Sequence, residues 1–83
     1  MLQTFTGRYW LTFDVQKGQE PVLYQMSRKF DVVFNIRQAT MNHAMCLMAL
    51  ELSGKESLIN EVLEWFKAQG VQVDPIEIST IEG

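Results

Sequence analysis

The hydrophobic pattern of this chain switches repeatedly between a period of two and a period of 3.6, and the order of those switches constrains the fold more than composition can. Arg8 to Val15 alternates: Tyr9, Leu11, Phe13 and Val15 fall on one side, and Arg8, Trp10, Thr12 and Asp14 on the other. That is the signature of a half-buried strand. Gln16 to Gln19 is polar with a glycine and reads as a loop. Glu20-Pro21 opens a helix, where proline's missing N–H costs nothing. Val22, Leu23, Met26 and Phe30 form its apolar stripe, Gln25, Arg28 and Lys29 face out, and the helix ends near Asp31.

Alternation returns from Val32 to Met41, with Val32, Phe34 and Ile36 on one face and Val33, Asn35, Arg37, Ala39 and Met41 on the other. A turn is expected within Thr40 to Ala44, with Asn42 the residue best able to take a left-handed conformation. A third strand follows over Met45 to Leu52, giving a hairpin. Cys46, Met48, Leu50 and Leu52 should face the core. Ser53-Gly54-Lys55-Glu56 fits a capping box at the start of a second helix. Leu58, Ile59, Val62, Leu63 and Phe66 mark its buried side, and Gly70 is its stop. Val71 and Val73 begin a fourth strand that Ile76 and Ile78 continue past Pro75. Proline cannot donate to a ladder, so this strand is expected at an edge or with a bulge. Ser79 to Gly83 reads as a loose tail.

The order β-α-β-β-α-β is the ferredoxin-like plan of the α+β class: a four-stranded antiparallel sheet with both helices on one face. At 83 residues the chain is expected to be one domain, its core spanning about residues 8–78. So short a chain buries a modest fraction of its surface, which favours association with a second copy. Hydrophobic residues at 47% and charged residues at 20% fit a globular protein. One cysteine, Cys46, excludes a disulfide framework and a cysteine-based zinc site, and the single histidine, His43, further narrows the scope for a metal, so none is expected. A net charge of −3 argues against nucleic acid. No apolar run reaches membrane-spanning length, and Met1 to Thr6 lacks the layout of a secretory signal. A cytoplasmic location is expected.

If Leu11, Phe13, Phe34, Ile36, Met48 and Leu50 face the helices, the opposite face carries Trp10, Val33, Asn35, Arg37, Ala39, Met41, Met45, Leu47 and Ala49. A solvated antiparallel face is normally polar, whereas an apolar one marks an interface or a binding surface. A two-fold homodimer through this face is expected, with Trp10, Val33, Ala39 and Leu47 in its interface. The plainer alternative is a lid formed by Leu2 to Thr6 or by the C-terminal tail.

Phe30-Asp31-Val32-Val33-Phe34-Asn35-Ile36-Arg37-Gln38-Ala39-Thr40-Met41 resembles the signature segment of the NIL domain, a family named for an Asn-Ile-Leu stretch on the second strand. The likeness extends to the first strand ending in Phe13, to Ser27-Arg28-Lys29-Phe30, to Met48-Ala49-Leu50-Glu51-Leu52-Ser53-Gly54 and to Gly70-Val71-Gln72-Val73. The resemblance implies a ferredoxin-like, ACT-like domain that pairs through its sheet. It also implies a regulatory role of the kind found in methionine importers, where such domains bind methionine near the dimer interface. The family's asparagine corresponds to Asn35. Two departures stand out: Arg37 replaces the leucine of the motif, and the turn Asn42-His43-Ala44 lacks the glycines many importer versions carry. No ATPase fits in 83 residues, so any regulatory output would reach a separate protein partner.

The candidate ligand-binding residues are Asn35, Arg37, Met41 and Met45. An amide at Asn35 would hold an amino or carboxylate group, or would serve as a rim residue or a cross-dimer hydrogen bond. The guanidinium of Arg37 would pair with a carboxylate, or with Glu51 or an acidic residue of a second subunit. Met41, Met45 and Leu47 would line a pocket for a thioether, or pack an interface. Trp10 is an interface anchor first and a ligand platform second.

Enzymatic chemistry is not expected. His43 lies in a turn without an acid to orient it, and Cys46 points to the core, where thiols are inert packing groups. Glycine spacing matches neither a phosphate-binding loop nor a dinucleotide fingerprint, so no cofactor is expected. Glu56, Glu61 and Glu64 form a solvated helix face. The basic-aromatic strand motif of RNA-recognition domains is absent. Two functions remain: a dimeric sensor of a small amino acid, and an assembly module whose apolar sheet face serves protein contact without a ligand.

Overall fold

In the computed structural model the backbone is described for residues 4–14, 16 and 21–82, and side chains as far as residue 76. Strand β1 spans Thr4–Asp14, helix α1 Val22–Lys29, β2 Val33–Met41, β3 Met45–Gly54, helix α2 Glu56–Ala68 and β4 Gln72–Glu82. The strands form one sheet in the order β2-β3-β1-β4, every neighbouring pair antiparallel. This is the ferredoxin-like arrangement that the alternating periods predict. Val15, Lys17 to Glu20 and Gly83 lie outside the described residues, and with them most of the expected loop.

The core lies between the sheet and the helices. Leu11 and Phe13 of β1 and Cys46, Leu50 and Leu52 of β3 meet Val22 and Met26 of α1 and Ile59, Val62 and Phe66 of α2. Phe34 and Met48 are half-buried against this cluster, but Ile36 is 50% exposed. Helix α1 has only eight residues, about 12 Å of rise, against roughly 30 Å for the nine residues of β2. Part of the helix-side face of this edge strand therefore stays uncovered.

The ends of the helices depart from expectation in ways the backbone explains. Pro21 is the N-cap of α1, its carbonyl accepting a hydrogen bond from the N–H of Gln25 at 2.9 Å. Lys29 ends the helix two residues before Asp31, and Phe30 is already extended. The capping box does not form. Ser53 belongs to β3, opposite Thr6, and the two hydroxyls are 3.1 Å apart. Strand pairing holds Ser53 extended, which leaves Lys55 as the N-cap of α2 with no side-chain cap.

The stop at Gly70 is as the sequence predicts. Its φ is +89°, and the N–H groups of Gly70 and Val71 donate to the carbonyls of Lys67 and Phe66, both at 3.0 Å. That pair of bonds is the Schellman motif. A Cβ at Gly70 would meet nothing within 4 Å, so Gly70→Ala probes backbone conformation alone. A loss of about 1–2 kcal/mol is expected in urea unfolding, the left-handed penalty of an L-residue.

Asn42 does not take a left-handed conformation; among the described residues no non-glycine has a positive φ. Instead its Oδ1 accepts from the N–H groups of Ala44 at 2.8 Å and Met45 at 2.7 Å. The side chain supplies what a glycine would otherwise allow. Strand β4 sits at the edge, and its register with β1 shifts between Tyr9↔Pro75 and Arg8↔Glu77, so the proline coincides with both an edge and a bulge. The expected loose tail is instead strand: Thr6 pairs with Thr80, Phe5 with Ile81 and Thr4 with Glu82. Thr4 to Thr6 accordingly belong to the sheet and do not cover its open face.

Candidate functional site

The open face is set by the register of three strands, and one irregularity in β2 decides which residues share it. Ile36 pairs with Leu50, but Gln38, not Arg37, pairs with Ala49. One extra residue is inserted, so Arg37 and Gln38 together oppose Ala49. Beyond this bulge the alternation is inverted: Ala39 pairs with Met48 and Met41 with Cys46, both on the helix side. The expectation that Ala39 and Met41 share the open face is therefore corrected, because a one-residue slip sends every following side chain to the other face. Met41 lines a cavity of about 220 Å³ beside α1 with Phe13, Val22, Cys46 and Met48.

The other predicted residues do share the open face. Val33 pairs with Ser53 and is 65% exposed. Asn35 stands opposite Glu51, and Trp10 opposite Ala49 on one side and Asp74 on the other. Leu47 lies between Thr40 and Thr12, and Met45 opposite Asp14. Leu47 and Met45 are 38% and 42% exposed. Ala49 is buried even though it faces the open side. Its register partners are Trp10 on β1 and Gln38 on β2, with Arg37 the extra residue beside Gln38.

Two residues further along β3, a polar row that the sequence does not assemble crosses the same face. Arg8, Glu51 and Asn35 are register partners on β1, β3 and β2. The Nε of Arg8 donates to Oε2 of Glu51 at 2.8 Å, with the Glu51 side chain only 14% exposed. The hydrogen bond from Arg8 holds the Glu51 carboxyl below its ordinary range against the opposing effect of desolvation. The charges of Arg8 and Arg37 and the amide of Asn35 add to the lowering. Arg37 thus influences Glu51 through its charge, while the ion pair itself belongs to Arg8. Sequence alone offers no route to this pair, because β1 and β3 are joined by no hairpin whose turn would fix their register.

The depressed carboxyl has a consequence for stability. A group with a lowered folded-state pKa stabilises above its unfolded value, and that contribution is lost as pH falls through the folded value. The stability advantage of the wild type over Glu51→Gln should accordingly be present at neutral pH. It should shrink in urea melts repeated at roughly pH 3.

Elsewhere the chemistry is sparse. Cys46 is a buried free thiol and His43 is exposed in the hairpin turn. Among the described residues no three His, Cys, Asp or Glu side chains converge as a metal site, and no helix is long and apolar enough to cross a membrane. An open groove of about 790 Å³ lies on the helix layer between Phe30, Leu58 and Trp65.

Comparison with known proteins places this geometry. The NIL domain model matches residues 8–75. The chain is 32% identical over 79 residues to "Methionine import ATP-binding protein MetN 2" of Bacillus licheniformis, covering 89% of the chain and 23% of that protein. It is 33% identical over 70 residues to the protein of the same name from Acinetobacter baylyi, covering 80% of the chain and 20% of that protein. The chain thus spans less than a quarter of the length of these relatives. Among solved structures it is similar to the C-terminal domain of an ABC transporter / ATP-binding protein from Enterococcus faecalis. That likeness has a TM-score of 0.72 at 18% identity and covers 84% of this chain and 82% of the other, which establishes a shared fold.

Proposed function

Because the chain belongs to the NIL domain family, we propose that it is a non-enzymatic regulatory domain binding a small amino acid at or near a homodimer interface on the open sheet face. The observation that carries this reading is the family match over residues 8–75, together with relatives whose names assign them to methionine import. Methionine is accordingly the first ligand to test. The ligand residues are Asn35, Arg37 and Met45, and the interface residues Trp10, Val33 and Leu47, all on one face of the sheet. Met41 and Ala39 lie on the helix side and have no part in it. The domain acts in the cytoplasm, and ligand binding alters the surface that it offers to a protein partner.

A thermal melt with and without millimolar methionine tests the proposal, with leucine, cysteine and glutamate as controls. At about 100 times its dissociation constant a ligand adds roughly 2.7 kcal/mol. For a domain of this size that raises the midpoint by roughly 10–20 °C. A methionine-selective rise supports the sensor. A flat result for every amino acid removes it and favours an assembly module, a reading to which the exposed Val33, Met45 and Leu47 lend support.

A further inference from the structure

The groove on the helix layer, across the sheet from the open face, combines two aromatic rings with two carboxylates. We propose that it docks a segment of a second protein that presents an arginine between apolar residues, the guanidinium lying on the indole of Trp65 and pairing with Glu61. This surface is separate from the amino-acid reading above and stands whether or not an amino acid binds.

The groove, of about 790 Å³, is lined from α2 by Leu58, Glu61, Glu64 and Trp65, and at the end of α1 by Lys29 and Phe30. Leu58, Glu61 and Trp65 are spaced three and four residues apart, which makes them neighbours on one stripe of the helix. Trp65 meets Phe30 edge-on at 6.2 Å between ring centroids and Phe66 edge-on at 5.4 Å, yet it is only half-buried. Two rings thus hold the indole in place, so a partner loses little in ordering it. Tryptophan in such a setting is a frequent interface anchor. Phe30 and Leu58 are half-buried beside it, and the fold leaves their outer surfaces uncovered.

Charge selects the partner. Lys29 is committed to Phe30, its Nζ 5.7 Å from the ring centroid, and Glu64 to Lys67 at 3.1 Å. Glu61 is exposed and, among the described residues, has neither a hydrogen bond nor an ion pair. The uncommitted charge of the groove is therefore a carboxylate one helical turn from an indole. Arginine serves both groups best, since its planar guanidinium forks onto a carboxylate and stacks on an aromatic face. The net charge of −3 on the whole chain favours the approach of a basic segment as well.

The chain has two tryptophans, Trp10 on the open face and Trp65 in the groove, so their indole N–H signals in isotope-labelled protein report the two surfaces separately. Titration of the full chain with the blocked tripeptides Leu-Arg-Leu, Leu-Lys-Leu and Leu-Gln-Leu should move the Trp65 signal and leave that of Trp10 in place. The arginine peptide should bind about five- to twentyfold more tightly than the glutamine one, the combined size of an exposed ion pair and a cation–π contact. The lysine peptide should fall between them. Glu61→Gln, at an exposed position, should narrow the preference for arginine over glutamine by about two- to fivefold, and high salt should narrow it in the wild type. A Trp65 signal that stays put at millimolar peptide, or a Trp10 signal that moves in its stead, would overturn the proposal. So would equal binding of the arginine and glutamine peptides, or a preference unchanged in Glu61→Gln. A Trp65 signal that shifts on dilution of the chain alone would also overturn it, by giving the groove to a second copy.

Discussion

Phe66→Ala is expected to remove most of the stability of the isolated chain. Phe66 is fully buried in α2, packed edge-on to Trp65 at 5.4 Å between ring centroids. It lies in a cluster with Leu11, Leu50, Leu52, Ile59 and Val62. Truncating a buried phenylalanine costs about 3–5 kcal/mol, because the lost transfer energy is joined by the cavity left behind. A chain of 83 residues has a total stability of roughly 4–12 kcal/mol, so this one side chain accounts for a large share of it. The carbonyl of Phe66 also receives the N–H of Val71 in the helix stop, but alanine keeps that bond, so the effect isolates packing. Urea unfolding followed by circular dichroism should show the midpoint fall steeply or the transition disappear. Lys67→Ala supplies the contrast. Its ion pair with Glu64, at 3.1 Å and with both side chains exposed, is worth no more than about 0.5 kcal/mol. Equal effects from the two substitutions would show that the core does not lie where the structure puts it.

The elements are legible in the sequence because each carries its own period, and the sheet order follows from the element order. What the periodicity cannot show is where a strand gains a residue. Arg37 reads as a regular alternating position, and nothing in Asn35-Ile36-Arg37-Gln38-Ala39 announces a bulge. A single insertion there nevertheless moves Ala39 and Met41 from the open face to the helix side. The capping box fails for a related reason: Ser53 has a local signal for helix and a non-local claim from Thr6 on β1, and the strand pairing prevails. The length of β4 is hidden in the same way, since Ser79 to Glu82 look like a tail until Thr4 to Thr6 arrive to pair with them. The ion pair of Arg8 and Glu51 depends on a β1–β3 register that no local pattern encodes. Asn35, Met45, Trp10, Val33 and Leu47 could be placed because they precede the bulge or lie on other strands.

Leu47→Asp is expected to convert the proposed dimer into a monomer. Leu47 lies on the open face of the central strand β3, between Thr40 and Thr12, and is 38% exposed within one chain. In the monomer an aspartate there can reach water, so the fold should tolerate it at a cost near 1 kcal/mol or less. An isologous interface behaves differently, since each substitution enters twice and the two copies face each other about the same axis. Two carboxylates brought together out of water without partners oppose association by several kcal/mol. That corresponds to at least a hundredfold rise in the dissociation constant. Sedimentation equilibrium at micromolar concentration should therefore give twice the 9.6 kDa chain mass for the wild type and 9.6 kDa for the variant. Tyr24→Asp, on the exposed side of α1, is the matched control and should leave the dimer intact. Dissociation by Tyr24→Asp with Leu47→Asp still dimeric would move the interface to the helix layer. A wild type sedimenting at 9.6 kDa would leave the open face without a second copy, and the amino-acid site would then have to be complete within one chain.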